Sequence, residues 1–265
     1  MINKKDVPLL MNVFKQLFSS LYSPKLISTF RLQGIWKTIL YVFILALLST
    51  IPTAYHFSSG LTAGLKGIDQ TLRNDLPFFS IEDHTLSAEA DQPIEIKKDN
   101  FIIILDDTGT YGVDEVEAKR NAIGILKDRF VFVTNGQTQS YEYSLMNMSF
   151  SKQDIIEFSD QVNQFLPIFV SILCFVMYLF SSIVKFIEIT ILAIFGLAFK
   201  NSLQRVLTFK QVWILSAYAT TLSTFFFFVM DSLQVVVPGG FLVNWFVHLI
   251  ILYLTLKEIP STKTA

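Results

Sequence analysis

The chain has 265 residues, of which 52% are hydrophobic and only 16% charged, against about 25% charged in a typical soluble domain. Twenty-six phenylalanines and a mean hydropathy of +0.48 point to lipid contact, while the net charge of −1 conceals a segregation of charge along the chain. A single cysteine, Cys174, excludes an intrachain disulfide and a cysteine-based metal site, and His56, His84 and His248 lack metal-ligand spacing, so no cofactor and no nucleic-acid partner is expected.

Residues 1–34 are basic, with Lys4, Lys5, Lys15, Lys25 and Arg31 against Asp6. Within them Leu10, Phe14, Leu17, Phe18, Leu21 and Tyr22 recur at steps of three and four, the mark of an amphipathic helix, and Pro24 should end it. Such a helix lies at the inner membrane interface or packs on the bundle as a cytoplasmic element. The first long apolar stretch begins near Ile35, too late for a cleavable signal peptide, and is expected to stay as a first span over 35–55.

Residues 56–163 change character. They hold nine basic and eighteen acidic side chains, together with turn residues and alternating apolar patterns, and read as an inserted extracytoplasmic α+β domain built on a small antiparallel sheet. Gly60 to Leu76 suggests a short helix leading from the membrane. Phe101 to Leu105, apolar without alternation, predicts a central strand covered on both faces. Phe130 to Val133 and Tyr141 to Tyr143 flank Asn135-Gly136, a favourable hairpin turn. Ile81, Ile94 to Ile96 and Ile123 to Leu126 are weaker strand candidates, and Ser151 to Phe165 reads as a helix feeding the next span.

Residues 164–265 complete an α-helical multi-pass membrane bundle. Phe165 to Phe199 is interrupted only by Lys185 and Glu188 and is too long for one simple crossing. Val212 to Met230 and Val235 to Leu256 are of ordinary span length. The acid-free run Lys200, Arg205, Lys210 marks a cytoplasmic loop over 200–211, because basic residues stay on the inner side. Four spans with both termini cytoplasmic satisfy this rule; five, by splitting at Lys185, is the alternative.

Lys185, Glu188, Asp106 and Asp107 are the candidate functional positions. Lys185 and Glu188, three residues apart, share a helix face and form either a functional ion pair at membrane depth or an interfacial bend from which Lys185 snorkels. His248 and Asn244 line up on the last span. Leu105-Asp106-Asp107-Thr108-Gly109 resembles an aspartic-protease turn, but no second copy exists in the chain, and a strand-terminating turn is the alternative for Asp106 and Asp107. Asp106, Asp107, Asp114, Glu115 and Glu117 match no calcium-loop spacing and read as a solvated acidic loop.

The order Ser23-Pro24-Lys25, Phe30-Arg31, Ile51-Pro52, Leu76-Pro77-Phe78, Asp106-Asp107-Thr108-Gly109, Phe209-Lys210-Gln211 and Ser216-Ala217-Tyr218-Ala219 resembles a Gram-positive bacterial membrane family of unknown function, DUF1189, often labelled YvdJ-like or maltodextrin utilisation. The bundle is also distantly similar to the Yip1 superfamily. The resemblance implies a cell-membrane protein with the lipid bilayer, other membrane proteins or a sugar-uptake system as partners, and brings no catalytic residues. A non-enzymatic accessory or sensory role is expected; the alternatives are a transporter subunit and, more remotely, a membrane-bound hydrolase.

Overall fold

The computed structural model describes residues 11–98, 101–146 and 149–261, so Lys4, Lys5, Asp6 and Leu10 lie outside the described residues. In chain order the elements are α1 (Val13–Ser20), α2 (Pro24–Thr29), α3 (Ile35–Asn74), β1 (Phe79–Glu82), β2 (Thr85–Ala88), β3 (Ile94–Lys98) and β4 (Phe101–Asp106). They continue with α4 (Val113–Glu117), β5 (Ala122–Leu126), β6 (Arg129–Thr134), β7 (Gln137–Glu142), α5 (Tyr143–Met146), β8 (Phe150–Ser151) and α6 (Lys152–Ser202). Last come α7 (Phe209–Ala219), α8 (Thr221–Ser232) and α9 (Gly240–Lys257). Two compact units result, Met1–Ser58 with Ser171–Ala265, and Ser59–Val170.

In the first unit, α1 ends before Pro24, as the residue pattern predicts, and Pro24 opens α2 with Ser23 as its cap, accepting from the Leu26 amide at 3.3 Å. Helix α1 buries Gln16, Ser19 and Ser20, with Val13 and Leu17 packed partly against the core, and leaves Phe14 and Phe18 exposed, as is Tyr22 beyond its end. Gln16 is satisfied within the unit, giving its amide to Gln33 at 2.9 Å and accepting from the Tyr218 hydroxyl at 2.9 Å. Around these bonds Phe30, Tyr41 and Tyr218 stack at centroid distances of 4.7 and 4.1 Å, anchoring a core with Leu45, Leu192, Val212 and Leu252.

Four helical segments are long and apolar enough to cross a membrane: Ile35–Asn74, Lys152–Ser202, Phe209–Ser232 and Gly240–Lys257. The first differs from the expected span plus separate helix, because α3 runs unbroken for 40 residues through Pro52. Helix α6 likewise runs for 51 residues, with Lys185 inside it and no break there. The third segment is two helices meeting at Thr220. There the Thr220, Thr221 and Thr224 hydroxyls donate to carbonyls three or four residues back at 2.7–2.9 Å, competition that bends a helix. The last helix begins at Gly240, later than expected, because Gly239 adopts φ 65 and closes the preceding turn.

In the second unit the five-stranded sheet has the order β3-β4-β5-β6-β7 and a three-stranded sheet has the order β2-β1-β8. The expected antiparallel sheet is corrected at one pairing: β4 and β5 are parallel, Ile102 opposite Ala122, while β3-β4, β5-β6 and β6-β7 are antiparallel. The connection between them holds α4, and a crossover of this kind is what a parallel neighbour requires. The apolar run in β4 is explained by two cores: Ile103 and Leu105 face one with Phe79, Ile81 and Tyr143, while Ile104 faces another with Val116, Val131 and Val133. The predicted hairpin forms between β6 and β7, with Asn135 and Gly136 both at positive φ, 51 and 78.

Candidate functional site

Within the first unit, helices α6, α8 and α9 bring together side chains far apart in sequence. Lys185 Nζ lies 2.7 Å from Glu188 Oε2 and donates to Thr224 Oγ1 at 3.3 Å. Asn244 Nδ2 donates to Glu188 Oε1 at 2.6 Å, and His248 Nδ1 lies 3.4 Å from the same oxygen without forming a hydrogen bond. The opposite ring nitrogen, Nε2, is hydrogen-bonded to Ser223 Oγ. Lys185 is only 8% exposed and His248 fully buried.

Helical spacing explains the assembly. Lys185 and Glu188 lie one turn apart on α6, Asn244 and His248 one turn apart on α9, and the two faces meet so that Glu188 receives both partners. The alternative in which Lys185 snorkels away from an interfacial bend does not hold, because its ammonium is folded back onto Glu188 and Thr224. An ion pair buried in apolar surroundings needs further hydrogen bonds, and Thr224 supplies one to Lys185 and Asn244 one to Glu188.

Lys185, Glu188, Thr224 and Asn244 line an open cleft of about 500 Å³. Its lining also includes Val184, Ile187, Ile191, Phe227, Phe241 and Trp245, and the carboxylate residue Asp231. Sequence reasoning identified Lys185, Glu188, Asn244 and His248 but missed Ser223, Thr224 and Asp231. Hydroxyl residues in apolar helices commonly bond their own backbone, so nothing in their spacing marked Ser223 and Thr224 as partners of α6 and α9.

Asp106 and Asp107 sit in the second unit and take different partners. Asp106 is 1% exposed. Its Oδ1 accepts from the Thr108 amide at 2.9 Å and the Thr108 hydroxyl at 2.6 Å, and its Oδ2 from the Tyr111 amide at 2.6 Å. Burial works against ionisation, but the hydrogen bonds from Thr108, Tyr111 and Gly109 outweigh it and hold the carboxyl below its ordinary range. Asp107 Oδ2 accepts from the Ala88 amide at 3.0 Å, tying the turn to β2. Gly109 at φ 81 closes the turn, so both carboxylates serve as backbone acceptors in a strand-terminating loop. Of the neighbouring acids, Glu115 caps the Gly112 amide at 2.8 Å, and no group of three or more His, Cys, Asp or Glu side chains able to hold a metal ion exists among the described residues.

Four long apolar helical segments, an inserted α+β unit and a buried ion-pair cluster define a mostly helical protein of membrane-protein character. The chain belongs to the family described as "Protein of unknown function (DUF1189)", whose sequence model spans residues 14–256. No curated protein and no solved structure matches it.

Proposed function

We propose that this is a non-enzymatic accessory or sensory protein of a cell membrane, crossing it four times with both termini inside and the α+β unit outside. The orientation is supported by charge: Lys25, Lys37, Lys200, Arg205 and Lys210 flank one set of helix ends, whereas residues 56–163 carry eighteen acids against nine bases. The observation that carries the sensory reading is the continuity of α3 and α6, each of which belongs in part to the apolar unit and in part to the α+β unit without a break. A ligand that favours one arrangement of the α+β unit thereby acts on two membrane helices directly. Given the label attached to the family, maltodextrins are the first ligands to test.

The experiment is calorimetry and thermal shift on the full chain with maltodextrins and cell-envelope components. A saturable heat and a raised melting temperature are expected for at least one of them; a flat response across the panel removes the sensory reading. A second reading, subunit of a transporter, is favoured by the Lys185–Glu188 cluster on an open cleft. Replacing both Lys185 and Glu188 by Leu abolishes uptake in cells if it holds, and unchanged uptake dismisses it.

A further inference from the structure

The cleft lined by the Lys185–Glu188 pair is mostly apolar, yet one carboxylate on its lining has no protein partner among the described residues. Lys185 is neutralised by Glu188 at 2.7 Å, and both Glu188 oxygens are engaged, one by Lys185 and the other by Asn244. Asp231 is exposed near the end of α8, and no hydrogen bond or ion pair reaches its carboxylate among the described residues. The charged side chains lining the cleft, Lys185, Glu188 and Asp231, therefore leave one net negative charge. Phe227, Phe241 and Trp245 line the same space, and aromatic faces attract cations when water is excluded.

We propose that this cleft binds an amphiphile with a cationic amine headgroup, the ammonium held by Asp231 and the aromatic rings, the alkyl chain lying along Val184, Ile187 and Ile191. An anionic headgroup would meet Asp231 with no free cation to offset it among the described residues, since Lys185 on the lining is already paired. A neutral headgroup would gain nothing from the charge of Asp231. The headgroup also has a route of approach. Asp231 and Phe227 line a second, adjoining cavity of about 440 Å³ next to His56 and Gln234, whose side chains are hydrogen-bonded at 2.9 Å. Asp231 thus stands where the two spaces meet. This inference goes beyond the sensory reading and does not depend on it, because every group it uses lies in the apolar unit.

Trp245 provides the readout. In the full chain carrying Trp36→Phe and Trp213→Phe, Trp245 is the sole remaining tryptophan. The protein is held in uncharged alkyl-maltoside micelles and titrated with (2-bromoethyl)dodecyldimethylammonium, whose bromine beside the ammonium quenches a nearby indole, and in parallel with anionic 2-bromododecanoate. Saturable quenching by the cation is expected, with half-quenching shifted about tenfold upward by Asp231→Asn and restored by Asp231→Glu. The anion is expected to quench weakly and equally in all three proteins. Ser181→Leu, which fills the cleft from α6 without touching a charge, should weaken quenching by the cation as Asp231→Asn does. Equal quenching by cation and anion, or a cation response indifferent to both Asp231→Asn and Ser181→Leu, overturns the proposal.

Discussion

Asp106 shows how a single carboxylate can stay ionised in a nearly closed site: three short hydrogen bonds replace the water it has lost. Its folded pKa lies below the unfolded value, so its stabilisation is complete above about pH 4 and is lost as pH falls through the depressed folded value. Thermal melts of the full chain taken stepwise into acid should show this loss, and Asp106→Asn should remove that part of the pH dependence. At neutral pH the same substitution places an amide donor against amide donors and should cost about 1–3 kcal/mol. Lys185 and Glu188 obey a different rule. Lys185→Leu or Glu188→Leu alone strands a buried charge and should destabilise the apolar unit by about 3–5 kcal/mol, whereas the double replacement should cost markedly less. Denaturation of all three variants in one detergent measures the coupling. The turn at Asp106 was legible because Asp, Thr and Gly act within a few residues, and the Lys185–Glu188 pair because three residues make one helical turn. Asp231 and Thr224 were not legible, since their roles depend on which helices pack together.

Among the elements, β4 was the most readable from sequence, because an unalternating apolar run demands cover on two faces and Ile103, Ile104 and Leu105 find it. The hairpin was equally plain from Asn135-Gly136. The parallel β4–β5 pairing was hidden, because the short α4 between them carries too few apolar positions to announce a crossover. The length of α3 was hidden too: a span over 35–55 and a separate helix from Gly60 were expected, yet one helix runs through both. Gly196 on α6 has a clear physical reason. A Cβ there would stand 2.5 Å from Val212 Cγ1 on α7 and 3.0 Å from Leu252 Cδ2 on α9. Gly196→Ala should therefore destabilise the helix packing by about 1–3 kcal/mol, and adding Val212→Ala should recover part of the loss by relieving the closer contact. Thermal melts of the single and double variants test this.

At the scale of the whole molecule, the proposed crossing pattern makes a prediction that the lone cysteine renders simple. With Cys174→Ser as background, a cysteine placed at Ser202, exposed at the end of α6, and another placed at Thr110, exposed in the α+β unit, report opposite sides of a membrane. A membrane-impermeant maleimide applied to intact cells should label the protein carrying Thr110→Cys and spare the one carrying Ser202→Cys until the cells are opened. Labelling of the latter in intact cells would place residues 200–211 outside and remove the four-crossing arrangement.

The pairing of β1 with β8 sets an order in time. Ser80 is opposite Ser151 and Ile81 opposite Phe150, so the β2-β1-β8 sheet waits for a strand made some seventy residues later, while the five strands β3 to β7 have already left the ribosome. Pairing so distant in sequence forms late. Phe150–Ser151 is followed at once by Lys152, the first residue of α6, so during synthesis the last strand of the α+β unit emerges just before the long apolar helix begins. A chain stalled before Phe150 would hold β1 and β2 as an open edge, which makes the arrival of two residues the step that closes the sheet.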